Sequence, residues 1–118
     1  MGKERKRPGL TAGTHEIEQG RLSDRYAGVA TTTIADAPTR TQTKVAGEVT
    51  GIRVVPRAGS PSLEVTVSDG SGASAVAVFT GRTSIPGLQP GKGVVLEGVG
   101  RSEGKGLLLL NPKYQLLG

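Results

Sequence analysis

Apolar and polar side chains alternate most regularly from Leu63 to Ser68, where Leu63, Val65 and Val67 interleave with Glu64, Thr66 and Ser68. A period of two marks a strand with one buried face. Asp69-Gly70-Ser71-Gly72 follows, with glycines that accept positive φ and side chains that bond their own backbone, as a tight turn requires. Ala75 to Phe79 is a second strand-like run, so the pair reads as a hairpin. Upstream, Val45, Gly47 and Val49 share one face, and after Thr50-Gly51 the apolar parity moves to Ile52 and Val54. A slip of one residue at a glycine marks a β-bulge, which bends a strand so that it serves two parts of a curved sheet. A bent first strand of about a dozen residues is a device for closing a small barrel.

Pro56 to Pro61 forms the turn into the second strand, its prolines ending the pairing and Gly59 permitting the reversal. After Phe79, the punctuation at Pro86-Gly87 and Pro90-Gly91 leaves room for at most one short turn of helix, with Ile85 and Leu88 tucked under the strands. Gly93 to Arg101 is a fourth strand and Ser102 to Gly106 a hairpin turn. Leu107 to Leu110 opens a fifth strand, which Asn111-Pro112 interrupts before Tyr114 to Leu117. Parity gives four consecutive leucines no face, and Pro112 sets the end of this strand at an edge or a bulge.

The first 43 residues carry weaker signals. Thr14, Ile17, Glu18 and Leu22 fit a short helix across His15 to Arg25, with Gly20 interrupting it. Ala27 to Thr43 is rich in Ala and Thr without a sustained period; Thr31 to Ile34 is extended on this reading. Residues 1–33 are therefore expected to form a flexible, partly ordered extension, and residues 34–118 the folded domain.

Composition narrows the function classes. With 35% apolar and 3% aromatic residues, the core is small and aliphatic. There is no cysteine, which excludes disulfides and thiol chemistry. No apolar run approaches the roughly 18–20 residues that span a bilayer, and no apolar segment follows the charges of MGKERKRPGL. A soluble, cytoplasmic protein with no membrane partner is the expectation. The net charge is +5, of which Lys3, Arg5, Lys6 and Arg7 against Glu4 supply +3, leaving +2 for the rest. A basic balance suits a polyanion, and this tail would act as an auxiliary arm that adds phosphate contacts without sequence preference.

Catalysis finds little support. His15 is the single histidine, and beside Glu16 and Glu18 it has no metal-ligand spacing, so no metal or other cofactor is expected. Pro90-Gly91-Lys92-Gly93 lacks the Ser or Thr and the following helix of a phosphate loop. Asp69 is better explained as the cap of its own turn than as an acid or base. We expect neither an enzyme nor a small-molecule substrate.

Five strands, a bend in the first and a short or absent helix between the third and fourth describe an all-β, five-stranded Greek-key barrel, the OB-fold. Val45-Ala46-Gly47-Glu48-Val49, Leu63 to Gly72, Leu96-Glu97-Gly98 and Asn111-Pro112-Lys113-Tyr114 resemble nucleic-acid-binding OB domains. The likeness, over about residues 34 to 117, is closest to the wedge domain of bacterial branch-migration helicases. It extends to anticodon-binding OB domains and the OB module of replicative polymerase alpha subunits. The whole chain is similar to small stand-alone OB proteins of high-GC Gram-positive bacteria. The resemblance implies binding of single-stranded or branched DNA, or of RNA, on the barrel face; OB-folds also host protein ligands, which leaves an interaction adaptor as the alternative.

The candidate binding residues follow from their positions. Arg53 alternates with Ile52 and Val54 and points outward; Arg57 is in the turn between strands one and two; Arg101 and Lys105 belong to the hairpin between strands four and five. Together these four would form one patch, against which Glu64 and Glu97 set negative charge. Arg82 and Lys92 bracket the connector, and Lys113 follows Pro112. Stacking platforms are few. Phe79 has the parity of Ala75 and Ala77, so if Val76 and Val78 face the core it lies outside, where a base could stack; packing in the core is the competing reading. Tyr114 is expected to pack against the barrel end.

Overall fold

The computed structural model describes Tyr26 and residues 28–57, 59–104 and 106–117, with Arg57 described only as the end of a strand. Six strands form one sheet: β1 (Gln42–Arg57), β2 (Ser60–Ser68), β3 (Ser74–Thr80), β4 (Gly93–Glu103), β5 (Gly106–Leu110) and β6 (Lys113–Leu117). The order is β1-β2-β3-β5-β4-β6, and an additional β1–β4 pairing closes the first five into a ring. All pairings are antiparallel except β3 with β5.

The bend in β1 lies where the parity slip is. Val49 pairs with Val67 and Gly51 with Thr66, so Thr50 is the extra residue of a bulge. Before it, Gln42–Glu48 pairs with β4; from Glu48 onward the strand pairs with β2. The expected fifth strand is two strands, because Asn111 turns the chain at φ 49 and Pro112 has no amide to donate. Asn111 suits that conformation and fixes it: its N–H donates to Val78 O at 2.7 Å, and its Oδ1 accepts from Thr80 N at 3.0 Å.

The core fills the ring with Val45 and Val49, Leu63, Val65 and Val67, Ala75, Ala77 and Phe79, Val94 and Leu96, and Leu107 and Leu109. Ile34, Ile85 and Leu88 pack into the same cluster, the last two as the sequence predicts. Residues 81–92 make turns rather than helix. In the leucine run, Leu107 and Leu109 face inward, while Leu110 is 61% exposed.

Phe79 requires a correction. It is 4% exposed and belongs to the core, not to the outer face. The register explains why: Leu63, Val65 and Val67 of β2 face Phe79, Ala77 and Ala75 of β3 directly. Directly opposed residues share a face, so the face of β3 is set by its bulkier partner strand and not by its own valines. Tyr114 meets Phe79 edge-on, with ring centroids 5.6 Å apart and planes at 81°.

Residues 28–37 lie against the sheet through specific backbone contacts. Thr31 N and Oγ1 both donate to Lys44 O, at 3.0 and 3.1 Å, and the run Thr31 to Ile34, expected to be extended, instead bends at residues 31–32 and enters a turn at residues 34–36. Tyr26 packs with Ala46 and Val95 in a second buried cluster on the outer side of β1 and β4, joined by Ala30 and Leu117. The pairs Val45-Ala46 and Val94-Val95, apolar on both parities, are the sequence signal that this stretch is covered on two faces. The helix expected at residues 15–25, the tail residues Lys3, Arg5, Lys6 and Arg7, and His15 lie outside the described residues. Among the described residues no helix is long and apolar enough to cross a membrane.

Candidate nucleic-acid interface

The outer faces of five strands meet in a groove of about 650 Å³. Its floor comes from residues turned away from the core: Val76 and Val78 on β3, and Leu108 and Leu110 on β5. Thr66 of β2 and Thr80 of β3 add hydroxyls. Arg53 of β1 and Glu64 of β2 border one side, Arg101 and Glu103 of β4 the other. The groove therefore crosses the strands instead of following them, and it includes Glu103, the last residue of β4.

Arg53 and Glu64 are direct cross-strand partners and form an ion pair, Nε to Oε1 at 3.1 Å. The arginine side chain is 75% exposed and the glutamate 16%. At that exposure the pair adds well under about 1 kcal/mol to stability, and the guanidinium keeps donors for a ligand. Charge in the groove lining is balanced, with two arginines against two glutamates.

Of the expected site residues, the fold brings Arg53 and Arg101 to one groove. The Arg57 side chain and Lys105 lie outside the described residues. Arg82 is exposed in the connector; Lys92 is half-buried, with its carbonyl accepting from Val49 N at 2.9 Å. Lys113 borders a different hollow, of about 220 Å³, with Lys44, Glu97 and Tyr114. Neither Arg82, Lys92 nor Lys113 lines the main groove. Phe79 is not available as a stacking platform, since its ring is inside the ring of strands.

Asp69 is buried and structural. Its Oδ1 accepts from Ser71 N at 3.0 Å, the expected turn cap, and its Oδ2 accepts from Ile34 N at 2.8 Å. Both oxygens are thereby engaged in backbone contacts. Among the described residues no cluster of three His, Asp or Glu side chains could hold a metal ion.

Reasoning from sequence missed the apolar floor and Arg40. Leu108 and Leu110 carried no readable parity, and Arg40 precedes the first strand in a stretch without periodicity. No protein-family model matches the chain, and no curated protein matches it significantly.

Proposed function

We propose that this chain is a non-enzymatic OB-fold module that binds single-stranded or branched nucleic acid, DNA or RNA, across the groove between Arg53 and Arg101. Three features support the fold reading: a ring of five strands, a first strand shared between β2 and β4 through a bulge, and a parallel β3–β5 contact. They match the connectivity of a Greek-key barrel with one extra edge strand. The observation that carries the function is the groove. It crosses the outer faces of β2 and β3, the surface on which OB domains take oligonucleotides. Without an aromatic platform in it, binding is weak and driven by phosphate charge, with the basic tail as an auxiliary arm. A cytoplasmic location suits this role.

A second reading, a protein-docking module, is favoured by one specific observation. The floor is aliphatic and exposes Leu110 at 61%, while Glu64 and Glu103 balance the arginines. Salt separates the two. Phosphate-driven binding falls with a log–log slope of about −0.7 per phosphate on single strands, whereas apolar docking is far less sensitive. Fluorescence anisotropy of labelled single-stranded, duplex and forked oligonucleotides, at low and physiological salt, with and without residues 1–7, tests this. Binding that survives loss of the tail and weakens with salt is the expected result. Absence of binding to every probe at low salt refutes the reading and turns attention to a protein partner.

A further inference from the structure

We infer that Arg40 and Arg101 form a phosphate-binding lobe that extends the groove and holds one nucleotide, phosphate on the guanidiniums and base against Val99, Leu108 and Leu110. This rests on the nucleic-acid reading above and names a residue and a subsite that reading does not contain. A hollow of about 320 Å³ is bordered by Arg40, Val99, Gly100, Arg101, Leu108 and Leu110. It shares Arg101, Leu108 and Leu110 with the main groove, so the two are continuous.

Charge distinguishes this lobe. The main groove balances its arginines with Glu64 and Glu103, but no carboxylate lines the hollow beside Arg40. Neither Arg40 nor Arg101 enters an ion pair among the described residues. Two unpaired cations flanking exposed aliphatic side chains, Val99 at 56% and Leu110 at 61%, complement a unit that is anionic at one end and flat and apolar at the other. A nucleotide is such a unit.

Arg40 also occupies a backbone conformation that its side chain disfavours. Its φ is 66°, and its N–H donates to Gly100 O at 2.9 Å, which fixes the conformation against β4. The other non-glycine residue with positive φ among those described is Asn111, a residue type that tolerates it and whose side chain caps β3. No such local role accounts for an arginine at position 40. A strained position held by its surroundings and occupied by a long cation points to use of the side chain.

The conformation supplies a clean test. Arg40→Gly removes the guanidinium while favouring the observed φ, so the variant should melt no lower than the parent. With a labelled oligothymidylate of about 12 residues, loss of one phosphate contact should make the log–log salt slope shallower by about 0.7. Referred to about 1 M salt, that is roughly eightfold weaker binding at about 50 mM and about fourfold at about 150 mM. Arg40→Lys should retain most of the affinity, and Arg101→Gln should reproduce the loss. Parental affinity and slope in Arg40→Gly, with the parent binding, overturns the lobe and leaves the module reading standing. No binding by the parent overturns both. Arg40-dependent binding of a labelled oligoglutamate of equal charge, with the oligothymidylate ignored, assigns the lobe to an acidic protein segment and overturns the nucleotide assignment.

Discussion

Asp69→Ala should destabilise the fold by roughly 3–4 kcal/mol, because one carboxylate secures two separate pieces of backbone. The side chain is buried, 6% exposed, and its oxygens accept from Ile34 N at 2.8 Å and Ser71 N at 3.0 Å. A hydrogen bond to a charged group contributes about 1.5–3 kcal/mol. Two give roughly 3–6, and the half-buried Ser71 amide recovers part of its share from water. The Ile34 amide has no such recourse, since its bond is buried and its side chain, 3% exposed, is part of the core. At about 4–8 °C per kcal/mol for a domain of this size, thermal unfolding should shift down by roughly 12–32 °C. Urea unfolding followed by far-UV circular dichroism gives the free energy, and hydrogen exchange at the Ile34 amide locates the change. Asp69→Asn, which keeps one acceptor oxygen, should fall between parent and Asp69→Ala. A loss below about 1 kcal/mol, or unchanged protection of Ile34, would refute the latch.

Two further variants address the core and the close approach of strands. Phe79→Ala should cost about 3–5 kcal/mol in urea unfolding, while Phe79→Leu should leave oligonucleotide affinity at the parental value; reduced affinity in a folded Phe79→Leu protein would return the ring to the binding surface. Gly47→Ala would bring its Cβ to 2.5 Å from Ser68 O and 2.8 Å from Val67 Cγ1, and should lose about 1–3 kcal/mol by overpacking. Gly51→Ala, whose Cβ would meet nothing within 4 Å, is the matched control, and equal losses at the two positions would contradict the close approach.

Strands with one apolar face were legible from their own residues. The alternation at Leu63 to Ser68, the parity slip at Thr50-Gly51 and the Pro-Gly punctuation of the connector all express local backbone and burial preferences, and each has its counterpart in the structure. Faces fixed by a neighbour were not legible. Ala75 and Ala77 are small and Val76 and Val78 larger, so bulk alone turns β3 the wrong way. Only its register against β2 puts the alanines and Phe79 inside. The same holds for Leu107 to Leu110, whose parity becomes meaningful once β3 lies alongside in parallel. Arg53 was legible as an outward cation because it alternates with Ile52. Its ion pair with Glu64 depends on cross-strand alignment, and Arg40 depends on the approach of Gly100, which is remote in sequence.

The division of β1 also orders events in time. Its second half pairs with β2 across one tight turn, but its first half waits for β4, beyond β2, β3 and the whole connector. Non-local pairing must meet its loop-closure entropy before any contact rewards it, and chains dominated by such pairings fold in milliseconds to seconds rather than microseconds. During synthesis, the meander β1-β2-β3 emerges with both edges open, since the strands that seal them, β4 and β5, are made later. Until they arrive, the first half of β1 presents a row of unpaired amides beside Val45 and Val49, a template for another nascent chain. A ribosome-bound chain halted before Gly93 should therefore be the species most dependent on chaperone protection.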